Sequence, residues 1–254
     1  SLAVALYISV TSLMGAWMLL GGYSLHLPRP VLGWAIAGGI AGGLCAFPYI
    51  RCLKIGPYGL TVAVLPMSAI VPIAYAAMFW GQPLRFTKCA GIAMVFAGLL
   101  LVFTRGLEGN TKQPRTRWLE WTLLMLAAFV LNGIPQIGMA AVSQGAPNGD
   151  VPLLFTYAVL GLVVTAVPAI RAREMPGGAM LYGAAAAVSV ATGNFLTLKA
   201  LESLDGSVVF PVSLSVPVIV GVILSRALFH ERITAAGYAG TIIGLAGVSV
   251  LAVL

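Results

Sequence analysis

The chain has 254 residues, 60% of them hydrophobic and only 8% charged, with a mean hydropathy of +1.01. Soluble domains carry roughly 25% charged residues, so an exterior drawn from fourteen basic and seven acidic side chains faces lipid rather than water. That excludes a soluble enzyme, a disordered protein and a disulfide scaffold, and the net charge of +7 is scattered singly, with no stripe suited to nucleic acid.

A helix needs about 20 apolar residues to cross the hydrocarbon core, and polar or Pro/Gly breaks divide the sequence into nine such runs. The first, Leu2 to Tyr23, ends at the His26-Leu27-Pro28-Arg29-Pro30 break. The second runs from Val31 to Lys54, the third from Pro57 to Trp80 and the fourth from Phe86 to Thr104. Arg105 to Arg117 forms a hydrophilic loop. The fifth run covers Trp118 to Val142, the sixth Val151 to Ile170 and the seventh Gly177 to Leu201. The eighth covers Gly206 to Phe229 and the ninth Thr234 to Leu254. Continuous apolar runs predict helices, because a membrane-barrel strand alternates apolar and polar residues. The expected fold is all-α, a polytopic integral-membrane bundle.

Displacing the sequence against itself by 145 residues reveals a repeat. Gly33 meets Gly178, Gly38 meets Gly183, and Leu53-Lys54 meets Leu198-Lys199. Pro66-Met67-Ser68 with Pro72 meets Pro211-Val212-Ser213 with Pro217. After a four-residue slip, Ala90-Gly91 meets Ala239-Gly240 and Ala97-Gly98 meets Ala246-Gly247. The repeats occupy residues 1–104 and 118–254, joined by the 105–117 loop, with four visible helices in the first and five in the second. The start at Ser1, already inside an apolar run, fits a parent of five plus five helices whose first helix precedes this sequence. An odd number per repeat makes the second copy enter the membrane from the opposite side, as in transporters with inverted-topology repeats.

Leu198-Lys199-Ala200-Leu201, Pro217, the Phe229-His230-Glu231-Arg232-Ile233-Thr234 turn and the final Gly244-Leu245-Ala246-Gly247-Val248 form a recognisable series. With these motifs the chain resembles the drug/metabolite transporter superfamily, EamA type. In the first half the turn reads Gly81-Gln82-Pro83-Leu84, with Gln82 where that family often has Glu. The resemblance implies ten helices in two inverted halves, an inner-membrane location and transport of small metabolites or drugs. It also implies that both ends of the ten-helix protein are cytoplasmic. The cation count points the other way: Arg29, Arg85, Lys88 and Lys199 mark one side, and the ten remaining cations, including those of the 105–117 loop, mark the other.

All seven acids lie at span ends or in loops, so coupling through a mid-membrane carboxylate is not expected from the visible spans. Neutral polar residues sit deeper. Asn132 and Gln136 share a helix face at i, i+4, with Pro135 between them removing a backbone donor. They are read as a hydrogen-bonding wall for a polar solute or, alternatively, as helix–helix contacts. Asn194 gives a second patch with Ser189 and Thr197 nearby. Ser68 and Ser213 recur beside the duplicated prolines, with Ser215 additional, and Tyr49 offers a hydroxyl. Lys54, Lys199 and Arg51 are either interfacial anchors or a cationic mouth selecting anions. The five neutral groups Asn132, Gln136, Asn194, Ser68 and Ser213 are expected around one central cavity.

The cysteines, Cys45, Cys52 and Cys89, lie in apolar runs and read as packed thiols, and neither His26 nor His230 has companions at metal-ligand spacing. No metal, cofactor or catalytic group is expected, and no phosphate-binding loop of the ATPase type is present. The leading expectation is a secondary carrier for a small polar or amphiphilic metabolite, such as an amino acid-like solute, working by alternating access. A multidrug or toxic-compound exporter, a lipid flippase and a non-transporting scaffold remain alternatives. The expected partners are a small-molecule substrate and the lipid bilayer.

Overall fold

In the computed structural model, residues 2–24, 27–81, 86–105, 115–145, 149–171, 179–203 and 234–252 are described, with five further positions between 220 and 228. Helix α1 spans Leu2–Gly21, α2 Arg29–Ile55, α3 Tyr58–Val64 and α4 Ile70–Phe79, the last two joined by a 3₁₀ turn at Leu65–Ala69. Then follow α5 (Phe86–Arg105), α6 (Arg115–Gly145), α7 (Asp150–Arg171), α8 (Ala179–Ser203) and α9 (Ala235–Ala252). There is no strand among the described residues. Among the described residues, five helices, α1, α2, α6, α7 and α8, are long and apolar enough to cross a bilayer. The chain is a multi-pass helical membrane protein. The eighth apolar run, Gly206 to Phe229, falls largely outside the described residues, as do Ser213 and Ser215.

Local chemistry sets the helix ends. Gly22 follows α1 at φ +67°, and the Tyr23 N–H donates to the Met18 carbonyl at 3.1 Å. That six-residue closure needs a left-handed residue, for which glycine carries no Cβ penalty. At the start of α9 the Gly237 N–H donates to the Thr234 hydroxyl oxygen at 2.9 Å, an N-cap satisfying one orphan donor. Helix α7 has Asp150 in its first turn and Arg171 in its last, matching the helix dipole at both ends.

The helices fold into two compact units. One comprises residues 1–47 and 134–200, the other residues 48–133 and 201–254. Each therefore draws chain from both sides of the 105–117 loop. Boundaries fall inside α2 at Pro48 and inside α6 just before Pro135, where the missing N–H groups interrupt the helical ladder.

In the first unit, α1 packs against α7. Gly15 faces the Phe155 ring, and the Tyr7 ring lies over Gly161. Contacts that descend α7 while ascending α1 make the pair antiparallel. Met14, Leu154 and Ala191 form a core between α1, α7 and α8, flanked by Trp17, Met139 and Tyr157. In the second unit the core joins Cys52, Leu60, Met67, Val95, Trp121, Met125 and Phe129, among others.

There α5 and α9 also run antiparallel, and their backbones touch. A Cβ on Gly98 would lie 2.5 Å from the Gly240 carbonyl oxygen, and one on Gly247 would lie 2.8 Å from the Gly91 carbonyl oxygen. Lipid tails are as apolar as leucine, so helix association rests on such close packing. Gly98→Ala should therefore destabilise by about 1–3 kcal/mol, the usual cost of overpacking. Gly33→Ala, where nothing lies within 4 Å of the added Cβ, should be neutral or stabilise by about 0.5–1 kcal/mol. Thermal unfolding in detergent checks both; equal effects would contradict the packing account.

Candidate functional site

The third apolar run changes its winding midway. Pro66 cannot donate to Val62 nor Pro72 to Ser68, so the ladder is released twice within seven residues. The segment tightens into the 3₁₀ turn, in which the Ile70 N–H donates to the Met67 carbonyl. Ser68 is carried inward by that turn and is fully buried. Asn132 of α6 meets it there, donating from Nδ2 to Ser68 Oγ at 2.8 Å. Two residues singled out from the sequence thus form one cross-helix hydrogen bond, within the second unit.

Nearer the start of α6, further polar contacts hold the helix. Trp121 Nε1 donates to Thr61 Oγ1 at 2.9 Å, and that hydroxyl donates to the Pro57 carbonyl at 2.8 Å. Trp118 stacks on Trp121 with ring centroids 4.4 Å apart. Beyond them, Arg51 Nε donates to Glu120 Oε1 at 2.7 Å, tying the end of α2 to α6. Arg51 is thereby an ion-pair partner, whereas Lys54 one turn on is exposed. Tyr49 is half-buried on the same stretch of α2.

Gln136 and Asn194 belong to the first unit, and both are half-buried. The carbonyl of Pro135 accepts a hydrogen bond from the Tyr157 hydroxyl at 2.8 Å, so α7 is tied to α6 at its internal proline. Beside Asn194, the Ser189 and Thr197 hydroxyls donate to the Ala185 and Gly193 carbonyls of their own helix, leaving lone pairs as their remaining capacity. Phe195 packs edge-on against Trp17 with centroids 4.0 Å apart. Lys199 lies near the end of α8.

Sequence inspection singled out Asn132 and Ser68 but not their bond. The Trp121–Thr61 and Arg51–Glu120 contacts were missed too, although Trp118 and Trp121 at i, i+3 and one acid at the head of the fifth run were legible signals. Cys45 and Cys52 are buried, as expected of packed thiols, while Cys89 is exposed; none of the three forms a disulfide among the described residues. No group of three metal-ligating side chains occurs among the described residues.

The Ser68–Asn132 bond should appear as an energetic coupling. Single and double alanine variants should be non-additive by about 0.6 kcal/mol, within the range of membrane hydrogen bonds that reaches roughly 1.7 kcal/mol. A double-mutant cycle on unfolding in mixed micelles measures it; strict additivity would contradict the bond.

No family model matches the chain, and no curated protein matches it. Among solved structures, one crystal structure superposes with a TM-score of 0.62 at 19% sequence identity, covering 98% of this chain and 86% of its own. The likeness establishes a shared fold.

Proposed function

We propose that this protein is a secondary carrier of the drug/metabolite transporter kind, residing in the inner membrane. It moves a small polar or amphiphilic metabolite by alternating access through two inverted repeats. One observation carries the reading: helices equivalent in the sequence repeat pack against each other, antiparallel. Gly91 corresponds to Gly240 and Gly98 to Gly247. The contacts formed are Gly98 with Gly240 and Gly91 with Gly247. Exchange of partners between equivalent positions is what a two-fold axis produces, and antiparallel helices require that axis to lie across them. Helices α1 and α7, related by the same 145-residue offset, form the corresponding antiparallel pair in the first unit. Inverted repeats of this kind are characteristic of carriers, whose substrate sites use discontinuous helices near the midplane.

In this reading α6 contributes the solute-binding wall, with Asn132 and Gln136 either side of Pro135. Ser68, fully buried, accepts a hydrogen bond from the Asn132 amide and so supports that wall. The wall is neutral, so recognition proceeds through amide hydrogen bonds. Counterflow in proteoliposomes against amino acids, sugars, nucleosides and amines identifies the solute. Asn132→Ala combined with Gln136→Ala should then reduce transport per folded molecule at least tenfold (about 1.4 kcal/mol), with only the small stability loss that the Ser68–Asn132 bond accounts for. A lower melting temperature with full transport per folded molecule would make these residues structural.

A further inference from the structure

We propose that the end of the second unit formed by α2 and α6 is a binding site for the headgroup phosphate of an anionic phospholipid. This inference requires the membrane reading but not the transport reading. Arg51 and Lys54 stand one turn apart on α2 and are both exposed. Arg51 bonds Glu120 of α6, and Arg117, also exposed, precedes Glu120 by three residues and so adjoins it on the helix surface. Together they form a row of three cations and one acid across the α2–α6 junction. Glu120 is the single acid on α2 through α6, so the row retains a surplus of positive charge.

Glu120 orients Arg51 without consuming it. Both bonding nitrogens of the guanidinium reach the same carboxylate oxygen, and the side chain stays 63% exposed. A planar guanidinium with donors to spare is suited to a phosphate. The first turn of α6 adds to the pull on an anion, because it has no acid to offset the positive end of the helix dipole.

The neighbouring surface selects a lipid over a soluble anion. Leu119, Leu123, Leu126 and Val130 form an exposed apolar stripe on α6 that begins one residue from Glu120. On α2, exposed Leu44 and Phe47 lead directly into Arg51 and Lys54. Outward apolar stripes mark the faces against acyl chains, so the cations at their ends stand at headgroup level. Trp118 and Trp121 lie buried beneath, a stacked pair that fixes the head of α6 at that depth. Acyl chains on the stripes and a phosphate on the cations describe one amphiphile.

The test titrates purified protein in neutral detergent with phosphatidylglycerol, with phosphatidylcholine and with inorganic phosphate, reading melting temperature. Phosphatidylglycerol should raise it saturably, well beyond phosphatidylcholine, and phosphate should leave it unmoved. Lys54→Gln with Arg117→Gln spares the Arg51–Glu120 pair. It should weaken the phosphatidylglycerol affinity about thirtyfold, each of the two interfacial cations contributing roughly fivefold near an anionic surface, with stability in phosphatidylcholine unchanged. Equal shifts from the two lipids, or an unaltered phosphatidylglycerol affinity in the variant, would overturn the proposal. So would an equal shift from inorganic phosphate, which would make the row a soluble-anion site.

Discussion

Hydrocarbon offers no partner to a polar group, and that constraint organises this structure. Each backbone N–H and C=O in a span must be satisfied within the protein, and side-chain hydroxyls come under the same pressure, although those of Thr11, Thr87 and Thr122 are buried without a hydrogen-bond partner. Ser9, Ser12, Thr156, Thr165, Thr241 and Ser249 all meet it locally, donating to the carbonyl four residues earlier. Side chains also meet across helices beside the prolines: Tyr157 donates to the Pro135 carbonyl, and Asn132 donates to the buried Ser68 of the proline-flanked 3₁₀ turn. Some polar contacts between helices lie beside these prolines, while the Trp121–Thr61 and Arg51–Glu120 bonds hold the head of α6. Carriers place their binding sites at helix breaks.

Apolar matching cannot bring helices together in lipid, so contact area must come from close approach. The glycines of α5 and α9 bring backbone against backbone, which a single methyl group would prevent. Partner exchange between Gly91, Gly98, Gly240 and Gly247 gives the small residues a second meaning, because it follows the internal repeat. The compact units do not follow that repeat: each takes helices from both copies, with boundaries in α2 and α6 beside Pro48 and Pro135.

Much of this was legible in the residues because helix length in a membrane is set by bilayer thickness. The first run, Leu2 to Tyr23, appears as α1 at Leu2–Gly21, and the ninth begins at the Thr234 cap. The third run was less transparent. Its two prolines announced a broken ladder, but hydropathy alone gave no indication of the 3₁₀ turn that buries Ser68. Asn132, Gln136 and Asn194 stood out because amides are costly in hydrocarbon. Their partners did not, since pairing across 64 residues of sequence, as for Asn132 and Ser68, depends on packing. Arg51 and Lys54 looked alike in sequence; both are exposed, and the structure gives Arg51 a carboxylate partner in Glu120.

The central claim is that two homologous halves cross the membrane in opposite senses. Lys54 and Lys199 align in the sequence repeat, so the proposed inversion would put them on opposite faces. Single cysteines at these two positions, in a chain whose Cys45, Cys52 and Cys89 are replaced, can be probed with a membrane-impermeant maleimide in sealed vesicles. The account predicts that one position labels from outside and the other only after permeabilisation. Labelling of both from the same side would contradict it.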